Sequence, residues 1–185
     1  LGDGFDTILD TDPLTGSGGI DTLQFGAGIS ATNVTVTRES NDLKFQVSTT
    51  DSVIIQNYFT VGDIDRIAFA DGTVWTQASI ATLFPINGTA GADVLPGTNT
   101  ADVVNGQGNP TGTVDLIYGY GGNDVLDGGA GADAIYGGSG DDSIRGGIDT
   151  ARKITWRDAL YGEAGNDLII VGDAPADVWG GAGND

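Results

Sequence analysis

Apolar residues in the C-terminal half recur with a period of nine. Gly119-Tyr-Gly-Gly-Asn-Asp-Val-Leu-Asp is followed by Gly128-Gly-Ala-Gly-Ala-Asp-Ala-Ile-Tyr and Gly137-Gly-Ser-Gly-Asp-Asp-Ser-Ile-Arg. In each unit the sixth residue is Asp and the eighth a large aliphatic. Extending the frame gives starts at residues 88, 97, 106, 119, 128, 137, 146, 162, 171 and 180. The units at Gly106 and Gly146 run to 13 and 16 residues, and the unit at Val171 has Ala176 where Asp is expected. Such a period predicts a solenoid whose coils stack to bury one continuous core. The last three residues of each unit suit a short strand with its middle side chain inward. Two units then make one coil, and turn n lies against turn n+2 at a strand spacing of about 4.8 Å. One wall should stack Leu95, Ile117, Ile135, Leu160 and Val178; the other should stack Val104, Leu126, Ile144 and Ile169.

The pattern changes towards the N-terminus. Val34 and Val36 alternate with Thr, and Leu43, Phe45 and Val47 alternate with polar residues. Ser52 to Phe59 and Ile64 to Phe69 read as strands, and Asp71-Gly72 as a tight turn into Val74-Trp75. Ala78 to Leu83 reads as a short helix with Ile80 and Leu83 inward. Residues 26–86 are therefore predicted as a small antiparallel β segment with one short helix. Residues 1–25 hold two degenerate repeat copies, at Gly2 and Gly16. The whole is predicted as all-β, with a parallel β-roll over residues 87–185. That last segment stops in mid-repeat, which suggests a piece of a longer protein.

Charge and glycine decide what such a roll needs. Of 32 glycines, 23 lie in residues 87–185, and the 185-residue chain carries a net charge of -19. That charge argues against nucleic acid and anionic membranes as partners. The thin core, one aliphatic per strand, is too small to offset chain entropy alone. Aspartates stacked at strand spacing repel unless a cation lies between them. Glycine permits the tight turns that point carbonyls inward, and calcium takes six to eight such hard oxygens at about 2.3–2.6 Å. Several calcium ions, bound between coils, are the predicted cofactor. The calcium-free repeat region is expected to be largely disordered, with calcium binding supplying the folding free energy.

The nonapeptides resemble the RTX, or haemolysin-type, calcium-binding repeat family, whose pattern is G-G-x-G-x-D-x-U-x. The run Phe69-Ala-Asp-Gly-Thr-Val-Trp, with Asp42-Leu43 and Asn57-Tyr58-Phe59 upstream, resembles the haemolysin-type calcium-binding protein related domain. The first resemblance implies ions between turns n and n+2. Turn n gives the carbonyls of positions two and four plus its Asp; turn n+2 gives the carbonyls of positions one and three plus its own. One implied set is Tyr120, Gly122, Asp124, Gly137, Ser139 and Asp142. The next on that edge is Gly138, Gly140, Asp142, Gly162, Ala164 and Asp167, continued by Glu163, Gly165, Gly180, Ala182 and Asp185. An earlier one is Thr98, Thr100, Asp102, Gly119, Gly121 and Asp124. On the opposite edge Asp93, Asp115 and Asp133 form the row, with Gly128, Gly129, Ala130 and Gly131 supplying carbonyls. This row is expected to fail near Asp158 and Ala176. The resemblance further implies a bacterial, secreted, extracellular protein exported by type I secretion, of adhesin, toxin or biofilm type, with neighbouring domains of the same exoprotein as partners.

Other chemistry is thin. Without His or Cys there is no imidazole base, thiolate nucleophile or ordinary zinc site, and no enzyme activity is expected. No apolar run is long enough to span a membrane. Asp12-Pro13 is a labile bond but reads as a plain turn. Gly119 to Gly122 lacks the Lys-Ser/Thr of a phosphate loop. Position nine of one wall reads Pro96, Tyr118, Tyr136, Tyr161, Trp179. This ladder is either a cross-strand stack or a docking face for a neighbouring domain or saccharide rings. The insertion from Ile148 to Arg157 gathers Arg152, Lys153, Trp156 and Arg157, either a solvated loop or a contact for an acidic polymer. A carbohydrate-binding accessory module of a polysaccharide-modifying enzyme is thus the alternative function.

Overall fold

The computed structural model describes residues 4–8, 20–60, 64–108, 113–148, 157–173 and 175–185. Asp12-Pro13, Gly2, Gly16, Gly18 and Gly19 of the two N-terminal repeat copies, and Arg152, Lys153 and Trp156 of the insertion lie outside them. Two compact units are present, Leu1–Ile80 and Ala81–Asp185. Among the described residues no helix is long and apolar enough to cross a membrane.

The first unit holds β1 (Phe5–Ile8), β2 (Thr22–Gln24), β3 (Thr35–Glu39), β4 (Asp42–Gln46), β5 (Ser52–Ile55), β6 (Arg66–Ala68), β7 (Val74–Thr76) and α1 (Gln77–Ala81). One sheet runs in the order β1-β5-β4-β3 and a second in the order β2-β6-β7. The β3/β4, β4/β5 and β6/β7 pairs are antiparallel. The two strands from the degenerate repeats pair in parallel instead, β1 with β5 and β2 with β6. Alternation drives the core: Leu43, Phe45, Ile55 and Ile67 are buried on one strand face each. Phe25 stacks on Phe69 at 5.3 Å and meets Phe45 edge-on at 5.4 Å, and such pairs add to area burial. Gly72, at φ 88°, makes the Asp71-Gly72 turn, closed by Phe69 N–H donating to Thr73 O and Thr73 N–H to Asp71 Oδ1.

Two local expectations change. The strand predicted from Ser52 ends at Ile55, because Asn57 enters the left-handed region at φ 56°. Tyr58 and Phe59 reach the core from the turn that follows. The helix begins one residue early and is one turn long. Ile80 is buried as expected, but Leu83 lies beyond the helix end and is 48 % exposed.

The second unit is the parallel roll. One sheet orders β8 (Ile86–Asn87), β10 (Val103–Asn105), β12 (Val125–Asp127), β14 (Ser143–Arg145) and β16 (Leu168–Ile170). The other orders β9 (Val94–Thr98), β11 (Leu116–Gly121), β13 (Ala134–Ser139), β15 (Asp158–Ala164) and β17 (Ala176–Ala182). Every neighbouring pair is parallel, in the register of the nine-residue frame: Leu95, Ile117, Ile135, Leu160 and Val178 align, as do Val104, Leu126, Ile144 and Ile169. Seven of these residues form one buried cluster, and Ile86, which the frame did not include, packs on it. Val178 keeps its register but stands 44 % exposed, because β17 is the edge strand of its sheet.

Candidate functional site

The turns between the two sheets carry the aspartates along two edges. On the first edge each Asp Oδ1 accepts the backbone N–H of the Asp one coil earlier: Asp124 from Asp102 (2.8 Å), Asp142 from Asp124 (2.8 Å), Asp167 from Asp142 (2.9 Å) and Asp185 from Asp167 (3.2 Å). The second edge repeats this: Asp115 accepts from Asp93 (2.9 Å), Asp133 from Asp115 (2.8 Å) and Asp158 from Asp133 (3.0 Å). Each bond fixes one carboxylate oxygen and aims the other at the gap between coils. The Oδ2 atoms of Asp115, Asp124, Asp142 and Asp167 are buried without a hydrogen-bond partner. A buried anionic oxygen left so is costly, and a hard cation between the coils would offset that cost.

The backbone supplies the remaining oxygens. A Cβ placed on Gly138 would meet the Tyr120 carbonyl, and one on Gly140 the Gly122 carbonyl. Carbonyls of positions two and four therefore point at the next turn on the same edge. The return direction is also seen. A Cβ on Gly119 would meet both Gly137 O and Asp124 Oδ2, and one on Gly137 would meet Gly162 O, at 2.7 Å, and Asp142 Oδ2. On the second edge a Cβ on Gly108 would meet Ala130 O, which adds position three. The further expected residues take equivalent places: Glu163 O faces Gly181, Gly165 O faces Gly183, and Gly180 O faces Gly162 and Asp167 Oδ2. Position two reaches this geometry through the left-handed region, at Gly138 (φ 107°) but also at Gln107, Tyr120 and Glu163 (φ 66°, 70° and 72°). Among the described residues no group of three or more acidic side chains is placed to hold a metal ion by itself. The donors the turns do offer are row carboxylates and backbone carbonyls, all hard oxygens, which fit calcium and not a soft-ligand metal.

Electrostatics agree. Burial pushes the Asp124 carboxyl up to about 8 and Asp142 up to about 6; backbone N–H bonds offset part of this and neighbouring carboxylates add to it. Burial also raises Asp115. The first edge has a second ladder at position five, outside the aspartates. Asn123 Oδ1 accepts Asp141 N–H (3.0 Å), Asp141 Oδ1 accepts Asn166 N–H (2.7 Å), and Asn166 Oδ1 accepts Asn184 N–H (3.1 Å).

Several placements differ from expectation. The second row does not stop at Asp133. Asp158 is buried in it, because the seven extra residues precede position six and the strand register after them is kept. The row does end at Ala176: Asp158 N–H donates to Pro175 O rather than to a carboxylate. Gln107, Thr113 and Gly147 also present carbonyls to the next turn; the four-residue insertion hid the first two. Asp158 was findable, since Leu160 already fixed the frame two residues later. The Thr100 carbonyl faces Gly122 of the next turn, as expected, while Thr98 N–H and Oγ1 both donate to Asp102 Oδ2, at 2.6 and 2.9 Å. Arg157 is paired with Asp177.

The position-nine rings form a continuous stack, Tyr118 on Tyr136 at 5.2 Å, Tyr136 on Tyr161 at 4.7 Å and Tyr161 on Trp179 at 4.4 Å, all within 15° of parallel. Tyr120 joins through Tyr118 at 5.7 Å. In the first unit a separate cavity of about 300 Å³, lined by Asp6, Phe25, Asp51 and Ser52 among others, holds none of the row aspartates.

Parallel coils with rows of carboxylates and carbonyls facing each other between successive turns define a calcium-binding β-roll. Residues 86–109, 111–150 and 157–174 match the RTX calcium-binding nonapeptide repeat (4 copies), and residues 42–79 match the haemolysin-type calcium binding protein related domain. The roll is thus built of RTX calcium-binding nonapeptide repeats, with the related domain ahead of them in the chain. No curated protein and no solved structure gives a significant match.

Proposed function

We propose that this calcium-binding module is a non-enzymatic structural part of a large secreted bacterial exoprotein, of adhesin, toxin or biofilm type, that folds on calcium after export. The buried, unpartnered Oδ2 atoms of Asp115, Asp124, Asp142 and Asp167 carry the reading. Where calcium is scarce these oxygens oppose folding, and where it is abundant they become ligands. An acidic chain that stays unfolded inside the cell and folds outside suits type I secretion. The repeats support this reading, since they are typical of secreted proteins.

The alternative, a saccharide-binding accessory module, would draw on the aromatic ladder. Saccharides stack on ring faces, and here the faces of Tyr118, Tyr136 and Tyr161 are taken up by one another. That favours a ladder that ties coils together. The test is far-UV circular dichroism of the whole chain, with chelator and then with millimolar calcium. The expected result is a large gain of β signal on adding calcium. Full β structure in excess chelator would refute the folding claim.

A further inference from the structure

The roll contains two kinds of turn, separated by the residue at position two. From Gly106 onward that residue is Gln107, Tyr120, Gly129, Gly138, Gly147, Glu163, Gly172 or Gly181, and every one has positive φ. In the first coil it is Thr89 and Thr98, and neither adopts positive φ. A β-branched side chain avoids that region, so the substitution changes the backbone as well as the side chain.

The hydroxyl then does what the cation would do elsewhere. Thr98 Oγ1 and N–H both donate to Asp102 Oδ2, at 2.9 and 2.6 Å, and Oγ1 accepts the N–H of Thr100 at 3.1 Å. Thr89 repeats the motif: Oγ1 and N–H donate to Asp93 Oδ2, at 3.0 and 2.7 Å, and Oγ1 accepts the N–H of Gly91 at 3.1 Å. A hydroxyl has one proton and two lone pairs. Here the proton is spent on the carboxylate and one lone pair on an amide. The equivalent Oδ2 atoms of Asp115, Asp124, Asp142 and Asp167 have no such partner. Two adjacent repeats thus share one closed arrangement, and four later ones share an open arrangement.

We propose that Thr89 and Thr98 take the place of calcium in the first coil, residues 88–102, so that the ion rows begin with Asp115 and Asp124. This rests on the calcium reading of the later turns and sets where it starts. The first coil is then an ion-independent end on which calcium-dependent coils stack. A Gly-Thr start marks the closed turn, and a residue tolerant of positive φ marks the open one.

Native mass spectrometry of the whole chain at saturating calcium, with circular dichroism to confirm folding, tests this by counting ions. Asp93→Asn and Asp102→Asn should hold as many ions as the unmodified chain, while Asp142→Asn should lose at least one. The double variant Thr89→Gly/Thr98→Gly should gain ions, because both turns are opened. A loss in Asp102→Asn equal to that in Asp142→Asn would overturn the proposal, as would a folded double variant with an unchanged count. If the double variant does not fold, the two Asp variants decide alone. An unmodified chain that binds no calcium would instead overturn the calcium reading itself, and this inference with it.

Discussion

Replacing Gly138 by Ala perturbs the roll at a single methyl group. Gly138 has φ 107°, and an added Cβ would stand 2.7 Å from the Tyr120 carbonyl carbon and nearer still to its oxygen. Holding Ala in that conformation costs roughly 1–3 kcal/mol. Relieving the contact also requires the coils to part by about 1 Å, since packed atoms tolerate little compression. The oxygen that moves is a proposed ion ligand, and calcium accepts oxygen only over a narrow range near 2.3–2.6 Å. Strain and the lost ligand together should amount to about 3 kcal/mol, or about two decades in equilibrium constant at 1.4 kcal/mol each. If two ions are linked to folding of this region, the calcium midpoint should rise about tenfold. A calcium titration followed by circular dichroism reads that midpoint. Gly26→Ala serves as control, because no atom lies within 4 Å of its added Cβ. A Gly138→Ala midpoint within twofold of the control would show that the close approach of Tyr120 to this glycine is not needed for binding.

Acid should partly replace calcium. The folded-state values for Asp124 and Asp142 lie above the ordinary 3.8. The folded, calcium-free roll therefore holds extra protons between about pH 4 and about pH 8, and its stability falls as pH rises through that window. Chelated protein should show more β structure at pH 5 than at pH 8, and the calcium midpoint of folding should be lower at pH 6 than at pH 8; pH-independent curves would contradict the burial of these carboxylates. Tyr161→Ala interrupts the ring stack between Tyr136 and Trp179 and should cost roughly 1–3 kcal/mol. That would appear as a lower melting temperature in calcium with binding on a glycan array unchanged; unaltered melting would remove the structural role of the ladder.

The roll was legible because two independent signals, Asp at position six and an aliphatic at position eight, share one period. Either alone would have been lost at the insertions. Leu160 carried the frame across the longer one, although Asp158 beside it was not read as a row member. Asp158 directly follows Arg157 and so looks like the end of a basic loop. The first unit was less legible. Nothing in Asp6-Thr7-Ile8 or Asp21-Thr22-Leu23 says that these repeat-like strands pair in parallel with β5 and β6. That choice is tertiary. Leu83 was misplaced because apolar spacing gives no stop signal when a helix lasts only one turn. The closed turns were hidden for another reason: Thr at position two is ordinary in the repeat frame, and only the backbone angle and its hydrogen bonds show that it does something different.

Both insertions enter at the same place in the unit. In the repeat frame the extra residues fall after position three, beyond Gly108 and again beyond Ile148, and before the position-six aspartates Asp115 and Asp158. On either side of each insertion the strands keep their pairing. Turns Gly106 and Gly146 are separated by one intervening turn, Gly128, so the two turns lie about 10 Å apart along the stack at the usual strand spacing. The scaffold thus offers ports on one side, where peptide can be added without rewriting any coil. A short epitope or an affinity tag spliced between Gly108 and Thr113 should therefore leave calcium-dependent folding of the roll intact.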